Sequence, residues 1–296
     1  MAAFKILKDA VKAWVNDNGS IHCAALAYYT VFSIAPLLII SIAIAGFVYG
    51  EQASRGEIFG AIQGLLGTSG AKAVESMVYS ASRDTHTGVI ATISGMVALL
   101  LGASGVFQQL QQSLNLIWKV QGKSGRGLWI FLRQRLISFS MVLVIGFLLL
   151  VSLVSTAALA ALGRYLGSRL PGGQTFWHLA NFVISFGVVT VLFAAIFKIL
   201  PDVRISWADV WIGAATTAFL FDIGKLLIGL YLGQSSVASS YGVAGSLIIV
   251  LIWVFYSSAI LLLGAEFTRV YASRGGRRVL PKAGSEYALR PENKAA

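Results

Sequence analysis

Long runs without charge dominate the pattern of polar and apolar positions along this chain. Asp, Glu, Lys and Arg are absent from five intervals, which are 18–50, 85–118, 136–163, 170–197 and 226–265. A transmembrane helix needs about 20 predominantly apolar residues, so each interval is long enough for one span. The polar stretch GQSSVASSYG divides the last interval between two helices. The pattern therefore predicts six spans, near 26–50, 88–110, 136–161, 176–199, 209–231 and 243–266.

The flanking segments complete the prediction of an all-α, polytopic membrane protein. An N-terminal amphipathic helix is predicted to lie in the inner membrane interface, because its apolar face carries Phe4, Leu7, Val11, Trp14 and Val15. Residues 51–87 have the periodicity of two short helices on the outer face, separated at 67–70. The chain thus divides into an interfacial segment (1–25), a transmembrane domain (26–271) and a basic cytoplasmic tail (272–296), which is expected to be mobile.

Composition and charge add a location and an orientation to this picture. The chain is 57% hydrophobic and only 12% charged, against about 25% charged in an ordinary soluble domain. Of its 23 Lys and Arg residues, 17 fall on the side that holds 1–25, 111–135, 198–206 and 268–296. The positive-inside rule makes that side, with both termini, cytoplasmic, so a bacterial inner (plasma) membrane protein is predicted.

The formal charge of +11 points to membrane lipids as the partner. Basic residues on the predicted cytoplasmic side attract the anionic lipids of the inner leaflet. These residues are spread over four segments without a recognisable nucleic-acid module, so no nucleic-acid partner is expected.

The usual signs of a soluble enzyme are missing from the sequence. His22, His86 and His178 fall on different sides of the predicted membrane and cannot form one metal site. No glycine-rich phosphate loop with its Lys and Ser/Thr occurs, which argues against ATP-driven transport within this chain. We therefore expect no catalytic residues, no metal and no cofactor, and a protein that is not an enzyme. Glu266 and Arg269 are interpreted as an interfacial ion pair.

Two charges stand inside the apolar stretch FLFDIGKLL (219–227). Asp222 lies about 20 Å along the fifth span if that span begins near Asp209. Asp222 and Lys225 share one helical side with small residues, which predicts that this side faces the helix bundle; the other members are Trp211, Ala215, Ala218, Gly229 and Gly233. Two interpretations remain open: a structural pair that neutralises itself, or a polar cavity that binds a charged headgroup or an ion.

Further candidates share the predicted depth of the charged pair. The cavity candidates on neighbouring spans are Ser155, Asn181, Ser185 and Ser246. Pro36 interrupts the backbone hydrogen bonding of the first span and is a hinge candidate. Glycines 229 and 233 can serve contact within a monomer or between the monomers of a homo-oligomer.

Several motifs carry a family resemblance. The stretch ILPDVRISWADVWIGAATTAFLFDIGKLLIGLYL, followed by SSYGVAGSLIIVLIWVFYSSAILLLGAEFT, resembles the bacterial YihY family, also called the BrkB virulence-factor family, and ALAYYTVFSIAPLL resembles its first-span motif. The resemblance covers about 20–270 and implies a six-helix inner-membrane protein. It also implies that Asp222 and Lys225 match an acidic residue and a lysine of the family motif.

The activity that the resemblance implies is transport. Family members were long labelled ribonuclease BN, but this chain has no HxHxDH run and no clustered acidic ligands, so the nuclease label is rejected. Other members have been associated with the export of envelope lipids or lipopolysaccharide precursors. We therefore expect transport or flipping of an amphiphilic, anionic envelope lipid or glycolipid. The alternatives are a small-ion or solute channel or exporter, and a membrane scaffold that transports nothing.

Overall fold

The described part of this protein is built mainly from long helices. The computed structural model describes residues 2–83, 105–122, 173–234, 243–275, 279–282 and 284–288. Its helices are α1 (Ala2–Asn16), α2 (Gly19–Tyr49), α3 (Glu51–Arg83), α4 (105–117), α5 (Gly173–Ile199), α6 (Trp207–Gln234) and α7 (Val243–Arg274). This helical architecture agrees with the predicted all-α class.

Four of these helices contain segments long and apolar enough to cross a membrane. The segments are Gly19–Ala43, Phe182–Ile199, Trp207–Ile228 and Leu247–Arg274. They overlap the first, fourth, fifth and sixth predicted spans. The third predicted span lies outside the described residues, and so does the second up to residue 104.

Residues with a positive φ mark the boundaries and the break of the first helices. Asn18 adopts a left-handed conformation and separates α1 from α2. Helix α2 continues through Pro36 and ends at Gly50, whose φ is 84°. Helix α3 breaks at Gly67, with φ 71° and ψ 177°, at the start of the 67–70 segment that the sequence predicts as a break. A positive φ is readily adopted by glycine because it has no Cβ atom.

Helix α7 is the central element of the described part. It contacts α1, α2, α3 and α6. Between α5, α6 and α7 the core contains Phe197, Val210 and Leu262, each almost without solvent exposure. A second core cluster joins α2, α3 and α7 around Val74 and Val250. Helix α7 thus takes part in both core clusters.

A reciprocal pair of contacts brings α6 and α7 unusually close. A Cβ atom added at Gly213 would lie 1.9 Å from Thr268 Oγ1, and one added at Gly264 would lie 2.0 Å from Thr217 Oγ1. Each threonine hydroxyl donates a 2.7 Å hydrogen bond to the carbonyl of the glycine four residues earlier on its own helix. Small residues let helix backbones approach closely within membranes. The glycine of each helix thus accommodates the threonine of the other.

Part of the C-terminal segment, which the sequence predicts to be a mobile tail, forms two short strands. Strand β4 (Ser285–Tyr287) pairs antiparallel with β1 (Val120–Gly122), and β3 (Leu280–Pro281) pairs with β2 (Val203–Arg204). The Lys282 side chain also donates a 2.7 Å hydrogen bond to the carbonyl of Pro201. The pairing partners are more than 70 residues away in sequence, so local composition gives no sign of them.

Segments that charge counting assigns to one side of the membrane meet at one end of the bundle. There, Lys119 contacts Asp17 and Arg274 forms an ion pair with Asp9. Asn115 and Asp202 bind each other through two hydrogen bonds, from the Asn115 side-chain amide to Asp202 Oδ2 at 2.9 Å and from the Asp202 backbone amide to Asn115 Oδ1 at 2.8 Å. The two short strand pairs join the same end, so four sequence segments form one polar cap.

Candidate functional site

The charged pair singled out in the sequence forms an ion pair on α6. Lys225 Nζ lies 3.5 Å from Asp222 Oδ1, one helical turn away. The side chain of Lys225 is 47% exposed and that of Asp222 is 23% exposed. The pair is therefore only partly covered by the protein, and Lys225 has room to contact another charged group.

The face of α6 that packs most tightly differs from the predicted one. Among the described side chains of this helix, the buried positions are Asp209, Val210, Gly213, Ala214, Thr217, Ala218, Gly224 and Ile228. Trp211 and Lys225, both predicted to face the bundle, are exposed. The packed face is rotated by about 100°, one residue along the helix, from the predicted face. The Gly213–Thr268 and Thr217–Gly264 contacts account for this rotation. They cannot be predicted from α6 alone, because one residue of each contact belongs to α7.

Apolar side chains are exposed on the same turns of α6 as the ion pair. They are Phe219, Ile223, Leu226 and Leu227, each between 44% and 65% exposed. On the covered side, Phe221 packs edge-on against Phe193 and Trp253. This part of α6 therefore presents a mixed surface, with an ammonium and a carboxylate next to a strip of apolar groups.

The remaining predicted site residues are described to different extents. Ser185 lies on α5 with an exposed side chain. Asn181 lies on α5 and Ser246 on α7, whereas Ser155 lies outside the described residues. Pro36 lies within the continuous helix α2. The Asp222–Lys225 pair is thus the part of the predicted site whose geometry the structure defines.

Sequence reasoning missed a buried polar cluster near the polar cap. Glu266, interpreted from sequence as one half of an interfacial ion pair, has no solvent exposure. Its Oε2 atom accepts hydrogen bonds from Arg269 Nη2 at 2.7 Å and Arg269 Nε at 2.9 Å. A buried ion pair affects stability differently from an exposed one, because removal of one partner leaves an uncompensated buried charge. The only sequence signal was that Glu266 ends a 40-residue interval without charge.

Other residues extend this cluster across four helices and a loop. Asp17 follows α1, and its Oδ1 lies 2.5 Å from Lys119 Nζ. His22 Nδ1 on α2 lies 3.4 Å from the hydroxyl of Ser113 on α4. Asp17, His22 and Ser113 line a small cleft with Trp14 and Glu266, and the cleft has room for about one water molecule. Within the described ranges, no three His, Cys, Asp or Glu side chains are grouped as metal ligands would be.

Of three proteins similar to this chain, two are named as membrane proteins. A UPF0761 membrane protein of Vibrio parahaemolyticus is 28% identical over 276 residues, which are 90% of this chain and 81% of that protein. A UPF0761 membrane protein of Psychrobacter is 26% identical over 94% of this chain but only 50% of its own length. The third is the putative ribonuclease-like protein YfkH of Bacillus subtilis, 24% identical over 90% of this chain and 95% of its own.

No solved structure matches the chain. The family model described as virulence factor BrkB matches residues 10–286, which include every helix from α2 to α7. That match agrees with the resemblance of the first-span and C-terminal motifs and with the membrane-protein names of the relatives. The chain therefore belongs to the virulence factor BrkB family.

Proposed function

We propose that this protein moves an amphiphilic, anionic envelope lipid or glycolipid across the inner membrane. The observation that carries the proposal is the partly exposed Asp222–Lys225 pair on α6, with Phe219 and Leu226 exposed on the turns beside Asp222. A surface with fixed charge next to apolar groups matches a molecule that has a charged headgroup and acyl chains.

The energetic argument concerns the exposed lysine within an apolar span. A Lys at the centre of a membrane helix costs about 2.5–3.5 kcal/mol on insertion scales. Lys225 lies inside the segment Trp207–Ile228 and is nearly half exposed, so hydrocarbon is an unfavourable neighbour for it. A phosphate or carboxylate of a headgroup would offer Lys225 a charge-assisted hydrogen bond. The headgroup would then compete with Asp222, whose 3.5 Å separation from the ammonium is long for such a bond.

The polar cap supports the proposed orientation. The parts of the chain that meet at this end belong to four sequence segments. These segments together hold 17 of the 23 basic residues in the sequence. The positive-inside rule favours the cytoplasm for such an end. In this orientation Asp222 and Lys225 lie beyond the middle of α6, toward the outer leaflet.

The experiment compares lipid movement by charge variants in reconstituted vesicles, normalised to folded protein. Asp222→Asn and Lys225→Met each leave one charge unpaired, whereas the double variant is neutral. We expect both single variants to be less stable, and the double variant to regain stability but to move fluorescent anionic lipid at a small fraction of the wild-type rate. The matched control is Glu51→Gln with Arg55→Met, which removes an exposed ion pair of 3.1 Å on α3 and should leave lipid movement unchanged.

Three outcomes count against the proposal. Wild-type lipid movement by a well-folded double variant would exclude the ion pair from the mechanism. Ion flux through wild-type vesicles without any lipid movement would replace the lipid proposal by the channel alternative. Absence of both activities would favour the scaffold.

A further inference from the structure

Among the described residues, three buried side-chain atoms have no hydrogen-bond partner in the protein, and all three belong to residues that line the cleft near the polar cap. The atoms are Trp14 Nε1, Asp17 Oδ2 and Glu266 Oε1. Glu266 is completely buried, so bulk solvent does not reach its free oxygen. Buried donors and acceptors are normally satisfied by protein groups or by ordered water, because an unpaired one is unfavourable. The common position of these atoms therefore points to a single ligand that binds all three.

The charges around the cleft are balanced. Asp17 Oδ1 lies 2.5 Å from Lys119 Nζ. Glu266 Oε2 lies 2.7 Å from Arg269 Nη2. Two carboxylates thus face two cationic groups, and the four side chains together are neutral. An added cation or anion would bring an uncompensated charge into a covered region, which is unfavourable. The ligand that suits this cleft is therefore neutral.

The three free atoms also define the hydrogen bonds that the ligand must make. The indole N–H of Trp14 can only donate, whereas the free carboxylate oxygens of Asp17 and Glu266 can only accept. The ligand must therefore accept one hydrogen bond and donate two. A hydroxyl group has only one donor and an ammonium group has no acceptor, whereas a buried water typically makes two to four hydrogen bonds. The cleft has room for about one water molecule, so a water in it contacts the side chains on every wall.

We propose that one ordered water molecule binds in this cleft and joins α1, the α1–α2 turn and α7. The water accepts a hydrogen bond from Trp14 on α1 and donates to Asp17 in the turn and to Glu266 on α7. Gly19 on α2 leaves space for the indole, because a Cβ atom there would lie 2.3 Å from Trp14 Nε1. The water thus holds the amphipathic helix against α7 by its covered side. The site shares no residue with the proposed lipid site.

Solid-state NMR of the full-length protein in lipid bilayers tests the water site, because magnetisation passes from a bound water to a neighbouring N–H group. The seven tryptophans are labelled with nitrogen-15, and the Trp14 signal is assigned by its loss in Trp14→Phe. We expect a water cross-peak at the Trp14 indole N–H, although its nitrogen is buried from bulk solvent. The positive control is Trp207, which is 54% exposed at the start of α6 and should show a water cross-peak in any case.

A crystal structure at a resolution that shows ordered water gives a second measurement. We expect one peak in the cleft, about 2.5–3.2 Å from each of the three atoms. A missing cross-peak at Trp14 while Trp207 shows one would overturn the proposal, and so would a closed cleft in which the Trp14 N–H donates directly to a carboxylate. Anomalous scattering at the site after sodium is replaced by rubidium would also overturn it, because the ligand would then be a metal cation. Neither measurement involves lipid movement, so failure here leaves the proposed function unaffected.

Discussion

The close approach of α6 and α7 predicts a large effect of the smallest possible substitution. Gly213→Ala adds one Cβ atom, which would lie 1.9 Å from Thr268 Oγ1, 2.8 Å from Thr268 Cβ and 2.9 Å from Thr268 Cγ2. Rotation of the threonine side chain cannot relieve this clash, because the Cβ atom does not move. The helices must therefore separate or the backbone must shift.

The expected magnitude follows from two opposing terms. Overpacking of a well-packed core costs about 1–3 kcal/mol. Alanine in place of glycine within a helix returns about 0.5–1 kcal/mol. We therefore expect Gly213→Ala to lower the free energy of unfolding, by up to about 2.5 kcal/mol. Reversible unfolding in detergent mixtures, followed by tryptophan fluorescence, measures this change.

Two further variants separate packing from helix propensity. Gly187→Ala on α5 is the matched control, because a Cβ atom there meets no heavy atom within 4 Å and should be neutral or stabilising. Thr268→Gly transfers the small residue to the other helix, so the double variant Gly213→Ala/Thr268→Gly should be more stable than the sum of the single changes predicts, by at least about 1 kcal/mol. Equal stability of Gly213→Ala and Gly187→Ala, or strict additivity in the double variant, would refute the close contact.

Three other predictions address the cap, the interface and the topology. Asn115→Ala removes both hydrogen bonds to Asp202 and should lower the free energy of unfolding by about 1–3 kcal/mol. An unchanged unfolding midpoint would show that these two hydrogen bonds do not stabilise the cap. A peptide of residues 1–17 should prefer anionic over neutral vesicles, and replacing its three lysines with glutamine should reduce binding by about 1 kcal/mol per charge; equal binding to both vesicle types would exclude an interfacial role. Reporter fusions within 60–80 should report the outer side and fusions after 275 the cytoplasm; the same side for both would contradict the predicted orientation.

Helix α1 illustrates how a sequence pattern and a structure complement each other. The apolar face predicted for the membrane interface includes Phe4, Val11 and Val15, which are all exposed. Trp14, which also belongs to the predicted face, packs against the core, and Ala10 beside it is fully buried. A helix that contacts protein through these two residues while its other apolar residues remain exposed is suited to an interface.

The polar cap shows the limit of local patterns. Counting basic residues assigns four segments to one side of the membrane, namely 1–25, 111–135, 198–206 and 268–296. This works from sequence because the number of basic residues in a segment does not depend on the other segments. Which residues then pair, such as Asn115 with Asp202 or Lys282 with the Pro201 carbonyl, depends on how segments distant in sequence are brought together.

The class of this protein and the positions of its apolar helices are determined by the sequence, because the length of an uncharged run and its preference for hydrocarbon are local quantities. The family is likewise carried by motifs along the chain. The tertiary structure alone decides which face of α6 is buried, because Gly213 and Thr217 become contact residues only where Thr268 and Gly264 of α7 pack against them. It also decides that Glu266 is buried beside Asp17 while Lys225 is exposed, since burial is a property of what the neighbouring helices cover.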